Sequence, residues 1–528
     1  MKLNYKRVIF VGFAFFLITA FWQAYDSIVP MILTDKFGLS QTWSGAIMAM
    51  DNVFALFLLP IFGALSDKVS SRHGRRTPFI VIGAIVAAVL LVSLSIPDNA
   101  QLRNIENISS IEDPAAYEQA LETIYDENPN VQDFSGASTA KRPLNELISR
   151  EEFTSIPLNT VDESGKTVTN PDYLNKVVPA RQAVAAKATA QNVVPLAIFM
   201  ALLLLALVAM GTFRSPAVAL MPDVTVKPLR SKANAVINLM GTAGGILVLL
   251  LGKVFGTGSA KNAMMSYTTF LAAVAGIMLV GLAIFIWKVR EPKWAAEMQA
   301  ESERLGLESP VEQENEADRK LSRAEKISLG LILASVVFWF MGYNAVTSKY
   351  SVYAKNVLDV DYNMTLLIAQ AAAIVAYLPV GFLSSKLGRK KMILAGIVIL
   401  TASFGFASFL GADSPALVKT VLMPVLFALA GIGWATINVN SYPMVVELAR
   451  GSNVGKYTGY YYTASMAAQV VTPVLSGIFL DNISMRTLFP YATIFVAIAF
   501  GTMFFVRHGD SRPDAMQVAL DAASGGDD

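Results

Sequence analysis

Apolar stretches of roughly 20 residues recur along the whole chain, each long enough to cross a ~30 Å hydrocarbon layer as a helix. They fall at about 8–33, 41–66, 77–96, 193–221, 232–254, 264–288, 326–350, 361–385, 391–411, 417–446, 456–480 and 485–507, which makes twelve, numbered here helices 1–12. In oil every backbone N–H and C=O must be satisfied within its own segment, so such a chain folds as packed helices. Composition agrees: 16% of the residues are charged and 54% hydrophobic, whereas about a quarter of an ordinary soluble domain is charged. The expectation is an all-α polytopic membrane protein in contact with the lipid bilayer. The basic start, MKLNYKRVIF, runs into an apolar stretch reaching Leu33 with no small-residue cleavage site. It therefore reads as the first spanning helix and not as a signal peptide.

Basic residues gather in alternate loops: GALSDKVSSRHGRRTPFI at 63–80, then Lys227/Arg230/Lys232, Lys386/Arg389/Lys390/Lys391, Arg450/Lys456 and Arg507. The positive-inside rule puts these loops and both termini in the cytoplasm. Compact loops and short tails suggest a bacterial cytoplasmic membrane and a monomer. A net charge of +2 with no basic patch outside the loops gives nucleic acid no footing. With no cysteine, disulfides, thiol catalysis and Cys-ligated metals are excluded. No metal-ligand cluster, no nucleophile beside a base and no Walker-type loop occurs, so neither an enzyme nor a cofactor is expected.

Two polar segments interrupt the helices. Residues 97–192, where acids outnumber bases, form an expected extracytoplasmic insertion between helices 3 and 4. Residues 289–325 form a charged cytoplasmic linker, expected to be helical. The expected parts are thus 1–96 and 193–288 (first bundle), 97–192 (insertion), 289–325 (linker), 326–507 (second bundle) and 508–528 (a disordered cytoplasmic tail).

The two bundles look duplicated. Phe21-Trp22-Gln23-Ala24-Tyr25-Asp26 resembles Trp339-Phe340-Met341-Gly342-Tyr343-Asn344, and Gly63–Lys68 resembles Gly381–Lys386, both 318 positions apart. Arg214…Asp223 aligns with Asn438…Glu447, and Lys232 with Lys456, 224 apart. The difference of 94 is close to the length of the insertion. Two pseudo-symmetric six-helix bundles joined by an inner linker are the architecture of major facilitator transporters, with substrate near the midplane between the bundles.

The loop sequence carries a second resemblance. Gly63-x-x-Ser66-Asp67-Lys68 followed by Gly74-Arg75-Arg76 is similar to the helix 2–3 signature of major facilitator proteins. Ser66-Asp67, Ser71-Arg72, Gly74-Arg75-Arg76 and Pro78-Phe79-Ile80, with Phe213-Arg214-Ser215-Pro216-Ala217 leading to Asp223, resemble the sucrose and maltose proton symporters. Those belong to the glycoside–pentoside–hexuronide:cation symporter group. The resemblance implies sugar:H⁺ symport by alternating access, with a disaccharide or other glycoside as cargo. A nucleoside, a drug or another small solute remains an alternative, as does a receptor sensing a ligand through the insertion, which is not a feature of that group. Gly63, Asp67, Arg72, Gly74, Arg75, Arg76, Asp223 and Glu447 would form a cytoplasmic gate, Asp67 bonded by Arg75 or Arg76. The same loop also suits a plain topogenic role.

Ionisable side chains inside spans are costly and mark function. Counting from the inner helix ends, Asp26 lies about 28 Å up and Asp51 about 24 Å up, whereas Arg214 lies about 13 Å above Asp223. Their counterparts Asn344 and Asn438 are uncharged, so the deep charges belong to the first bundle. In the melibiose-type branch, helix 2 acids hold the coupling cation and the helix 1 acid contacts sugar. Carried over by position, Asp51 is the coupling carboxylate, with Asp26 as sugar acceptor or second proton carrier; an outer-interface role for Asp26 is the plain alternative. Asp51 stands alone, followed by Asn52, which suits H⁺ better than Na⁺. Trp22, Tyr25, Phe340, Tyr343, Trp434 and Tyr462 could offer faces to sugar rings, or simply pack. Asn238 and Gln469 could bind sugar or join helices. Lys349, near the outer end of helix 7, is expected to snorkel to the interface. Gly241-x-x-Gly244-Gly245 reads as close helix packing.

Overall fold

A computed structural model of the chain describes residues 3–69, 71–111, 113–132, 141–161, 167–226, 230–304, 322–448 and 454–509. Helices 1–6 are Tyr5–Met31, Gln41–Lys68, Thr77–Ser93, Val194–Asp223, Arg230–Phe255 and Thr268–Lys288. Helices 7–12 are Arg323–Tyr353, Tyr362–Leu387, Arg389–Ala407, Ala416–Glu447, Val454–Asn482 and Leu488–Phe504. Helix 3 is prolonged by Ser95–Asn104, beyond the expected boundary at 96. Among the described residues eleven helices are long and apolar enough to cross a membrane, and the apolar part of helix 8, Tyr362–Tyr377, is shorter. Large apolar side chains such as Ile82, Val280, Val398 and Ile494 are exposed on the outside of the bundle, which is what a lipid solvent favours.

The helix contacts of one half repeat in the other. In the first half helix 1 packs on helices 5 and 6, and helix 4 on helices 2 and 3. In the second, helix 7 packs on helices 11 and 12, and helix 10 on helices 8 and 9. Between the halves, helix 2 meets helix 11 and helix 5 meets helix 8, while helix 1 meets helix 7. Exchanging helix n with helix n+6 maps this set onto itself, so the duplication read from short motifs extends to the packing. Helices 1 and 7 even end alike, in five-residue π turns at Ile32–Lys36 and Ala354–Leu358. The helix 5 glycines act as read: a Cβ on Gly244 would stand 2.5 Å from Phe16 O, and one on Gly241 3.0 Å from Thr19 Oγ1.

The described bonds between the halves gather at the end carrying the insertion. Asp481 of helix 11 accepts from Gln41 N and Thr42 N, both at 2.7 Å. A carboxylate there meets the free N–H groups and the positive dipole end of helix 2. Tyr362 Oη and Thr257 Oγ1 are 2.7 Å apart between helix 8 and the end of helix 5. Lys349 corrects the sequence reading. It does not snorkel: it is 0% exposed and donates to Gln41 O at 2.5 Å, because that carbonyl lies within reach across the seam.

The insertion has its own core, with Ile105, Leu121, Ile124, Leu144, Phe153 and Tyr173 buried together. Two helices, Pro114–Asp126 and Val178–Gln191, and two hairpins, Asn130–Gln132 with Lys141–Pro143 and Asn159–Val161 with Thr167–Thr169, surround it. Rooted on helices 3 and 4 of the first half, it reaches the second: Gln132 Nε2 donates to Ile483 O at 3.0 Å and Thr169 N to Asp359 Oδ2 at 3.1 Å. A cavity of about 1080 Å³ lies beneath it, lined by Gln41, Gln132, Lys187, Asn356 and Arg486 among others. At the other end of the molecule, the linker helix Glu291–Arg304 packs on helix 4, and its Trp294 is buried.

Candidate functional site

Trp22, Tyr25 and Asp26 share one face of helix 1, since residues three and four apart are neighbours on a helix. Trp22 and Tyr25 meet edge to face at 5.2 Å between ring centres, and Phe21 supports Trp22 at 5.5 Å. Asp26 is half-buried and lies near enough to Asp51 of helix 2 for the two carboxylates to repel. Asp51 accepts from Asn52 Nδ2 at 2.6 Å and feels the Arg214 charge from helix 4. Arg214 makes no ion pair with either acid; its guanidinium lies 5.7 Å from the Trp22 ring centre. Three helices of the first half bring two acids and one base together without a direct salt bridge.

The second half contributes aromatic surface and amides. Tyr343 stacks on Trp434 at 3.7 Å and 5° between planes, and Phe340 meets Trp434 edge-on at 5.2 Å. Asn438, the counterpart of Arg214, lies close to the Tyr377 hydroxyl of helix 8. Tyr462 of helix 11 is half exposed and within electrostatic reach of Arg214. Buried polar atoms on both sides have no protein partner: Trp22 Nε1, Tyr25 Oη, Asn344 Nδ2 and Gln370 Oε1. A buried donor or acceptor left unsatisfied costs about 1–3 kcal/mol, so four such atoms form a set that a polar ligand could satisfy.

Two of the sequence candidates do not join this set. Gln469 donates back to Ser465 O of its own helix at 3.2 Å, and Asn238 is exposed on helix 5. Sequence reasoning missed Gln23, which accepts from Gln370 Nε2 at 2.7 Å and ties helix 1 to helix 8. It also missed Tyr377. The adjacency of Gln23 to Trp22 was the available signal for the first; the second had none.

The arginine loop forms a tight brace. Arg76 is buried and its Nε donates to Asp223 Oδ2 at 2.9 Å, while Arg75 Nη2 lies 3.0 Å from Asp223 Oδ1. Arg76 Nη1 also donates to Ser66 Oγ and, at 3.3 Å, to Gly63 O. Arg72 is exposed. The side chains of Asp67 and Glu447 lie outside the described residues. The expectation of a latch that breaks between conformations is thus corrected for the described pairs. Arg75, Arg76 and Asp223 all belong to the first half, so rocking one half against the other does not separate them.

Glu291, which sequence reasoning also missed, holds this loop. It is 3% exposed and accepts from Arg75 N at 2.8 Å, Arg76 N at 2.9 Å, Thr77 N at 2.8 Å and Thr77 Oγ1 at 2.7 Å. It caps the N-terminus of helix 3 from 214 residues away in sequence. Gly74 makes room with φ +107°, and a Cβ there would stand 2.2 Å from the Glu291 carboxyl carbon.

Residues 183–420 and 361–520 match the family described as Major Facilitator Superfamily, and residues 10–102 match one described as MFS/sugar transport protein. Over 71 residues, 13% of this chain and 15% of the relative, the sequence is 34% identical to the putative glycoside/cation symporter YagG of Escherichia coli. Over 54 residues, 10% and 11%, it is 35% identical to the sucrose transport protein SUC4 of Arabidopsis thaliana. These matches span about a quarter or less of the curated relatives' length. The inward-open xylose transporter XylE from E. coli has the same fold, with TM-score 0.55, 15% identity, and 98% of this chain and 100% of that one covered.

Proposed function

Because this chain belongs to the major facilitator superfamily, we propose that it is a secondary transporter coupling uptake of a sugar, a disaccharide or related glycoside, to H⁺. The observation that carries the reading is the division of labour between the halves. The first half holds every deep charge of the cluster, Asp26, Asp51 and Arg214. The second offers the Tyr343–Trp434 stack and the Asn344 amide. A neutral, hydroxyl-rich ligand with one apolar ring face matches that pairing: Tyr25, Trp22 and Asn344 donate, Asp26 accepts, and the stacked rings cover a sugar face.

Asp51 takes the coupling proton. Protonation removes its attraction to Arg214 and its repulsion of Asp26, so proton and sugar each favour the other's binding. That mutual dependence is what a symporter needs. With both termini cytoplasmic and the insertion outside, the latched arrangement faces inward. Outward opening then parts helix 2 from helix 11 and helix 5 from helix 8 around the site. The similarity of short segments to a glycoside/cation symporter and a sucrose carrier supports the cargo class.

Uptake of labelled sucrose and maltose into proteoliposomes under an imposed inward H⁺ gradient tests this. Wild type should accumulate one of them. Asp51→Asn should lose accumulation yet keep sugar exchange without a gradient. Accumulation that persists in Asp51→Asn removes the proton from Asp51. If folded protein takes up neither sugar, the cargo is of another class.

A further inference from the structure

One buried charge takes part in none of the contacts above. Arg181, on the insertion helix Val178–Gln191, is 1% exposed. Its Nη1 donates to Tyr173 Oη at 2.6 Å and its guanidinium lies 5.8 Å from the Tyr173 ring centre, but Nε and Nη2 have no partner at all. A guanidinium does not shed its proton in a protein, and an unpaired buried charge is strongly unfavourable. Neither neighbouring phenol balances it. Burial pushes the Tyr117 hydroxyl well above the ordinary phenol range, so it stays neutral, and Tyr173 Oη accepts from Nη1 alone.

The surroundings add to the imbalance. The Tyr173–Val177 turn packs against the Ala354–Leu358 turn that ends helix 7. Lys355 of that turn is fully buried and repelled by both Arg181 and Lys36. Three cations, Lys36, Arg181 and Lys355, thus share a dry region with two carboxylates, Asp35 and Asp98. Asp98 is consumed by Lys36, at 2.7 and 2.8 Å. Asp35 is divided among Gln182 Nε2 at 2.8 Å, Asn356 Nδ2 at 2.9 Å and Lys355 Nζ at 3.4 Å. The cluster is one negative charge short.

We propose that a small inorganic monovalent anion of the chloride class binds at Arg181, on the guanidinium edge formed by Nε and Nη2, where the insertion meets the end of helix 7. Those two donors sit side by side and can hold a single halide, and the burial of Arg181 disfavours a bulky or multiply charged anion. The insertion supplies Arg181, helix 1 supplies Asp35 and Lys36, and helix 7 supplies Lys355. The site is therefore complete only while the insertion end is closed, and the anion holds that end shut. Release of the Lys355 proton would balance the charge without an ion, and it predicts no response to chloride.

The test measures thermal unfolding of the purified full chain in sodium chloride, sodium bromide and sodium gluconate at equal ionic strength. Wild type should show a saturable rise in midpoint with chloride and bromide relative to gluconate, and Arg181→Gln should show none. Equal wild-type midpoints in chloride and gluconate, or an undiminished chloride response in Arg181→Gln, overturn the proposal. Should Arg181→Gln fail to fold, anomalous scattering from wild-type crystals grown in bromide decides. A bromide within bonding distance of Arg181 Nε and Nη2 supports the site, and its absence overturns it.

Discussion

Gly45→Ala should turn this protein toward the state open at the insertion end. Gly45 lies on helix 2 where it crosses helix 11, and a Cβ there would stand 1.9 Å from Pro473 O, a backbone atom. Ordinary contact begins at 3.4 Å, so the helices must part by about 1.5 Å (3.4 − 1.9). Forcing one methyl into a packed seam costs about 1–3 kcal/mol. That strain falls only on the state in which helices 2 and 11 touch, so the population ratio should move about 5- to 150-fold toward separation. The chain has no cysteine, so Trp43→Cys with Ile478→Cys, both exposed, can carry a pair of spin labels on those two helices. Their distance distribution should lengthen in the Gly45→Ala background. Two controls separate this from general damage. Gly83→Ala brings a Cβ 2.6 Å from the Phe213 Cβ within one half, so it should lower stability without moving the distance. Gly276 has nothing within 4 Å, and its alanine variant should change neither. An unchanged distribution in Gly45→Ala, or an equal shift in Gly83→Ala, refutes the idea that this seam sets the resting state.

Two further perturbations follow. Lys36→Met or Asp98→Asn alone strands a buried charge and should cost about 3–5 kcal/mol in unfolding free energy, whereas the Lys36→Met/Asp98→Leu pair should recover most of it; denaturant titration of the three variants measures this. Glu291→Ala leaves the first turn of helix 3 uncapped and Arg75 and Arg76 less constrained. It should lower stability by about 2 kcal/mol and raise proteolysis in the 63–80 loop, with no change in substrate affinity; limited proteolysis beside a binding assay reads both.

How much of this was legible in the sequence depends on the range of the interaction. Helix positions follow from hydropathy, which every residue of a span repeats. The duplicated contacts followed because Trp22-to-Asp26 and Phe340-to-Asn344 keep their spacing through an insertion. Lys349 was misjudged for a reason. Hydropathy treats an end-placed lysine as wet, and Lys349 is dry only because Gln41 O arrives from another helix. Glu291 belonged to a linker whose charges looked solvated; its four partners come from a loop more than two hundred residues earlier. Unpaired atoms such as Tyr25 Oη and Arg181 Nη2 have no sequence signature, since being without a partner is a property of three dimensions.

The π turns that end helices 1 and 7 also set which way the last side chains point. Each turn carries one residue more than an α turn would, and at 3.6 residues per turn that turns everything beyond it by about 100°. Asp35 and Lys36 lie inside the first turn, and Lys355 and Asn356 inside the second. Asp35 meets Lys355 and Asn356 of the other half there, while Lys36 turns to Asp98 in its own. Two local changes of pitch, six helices apart, let an ordinary pair of spanning helices finish in a charged clasp.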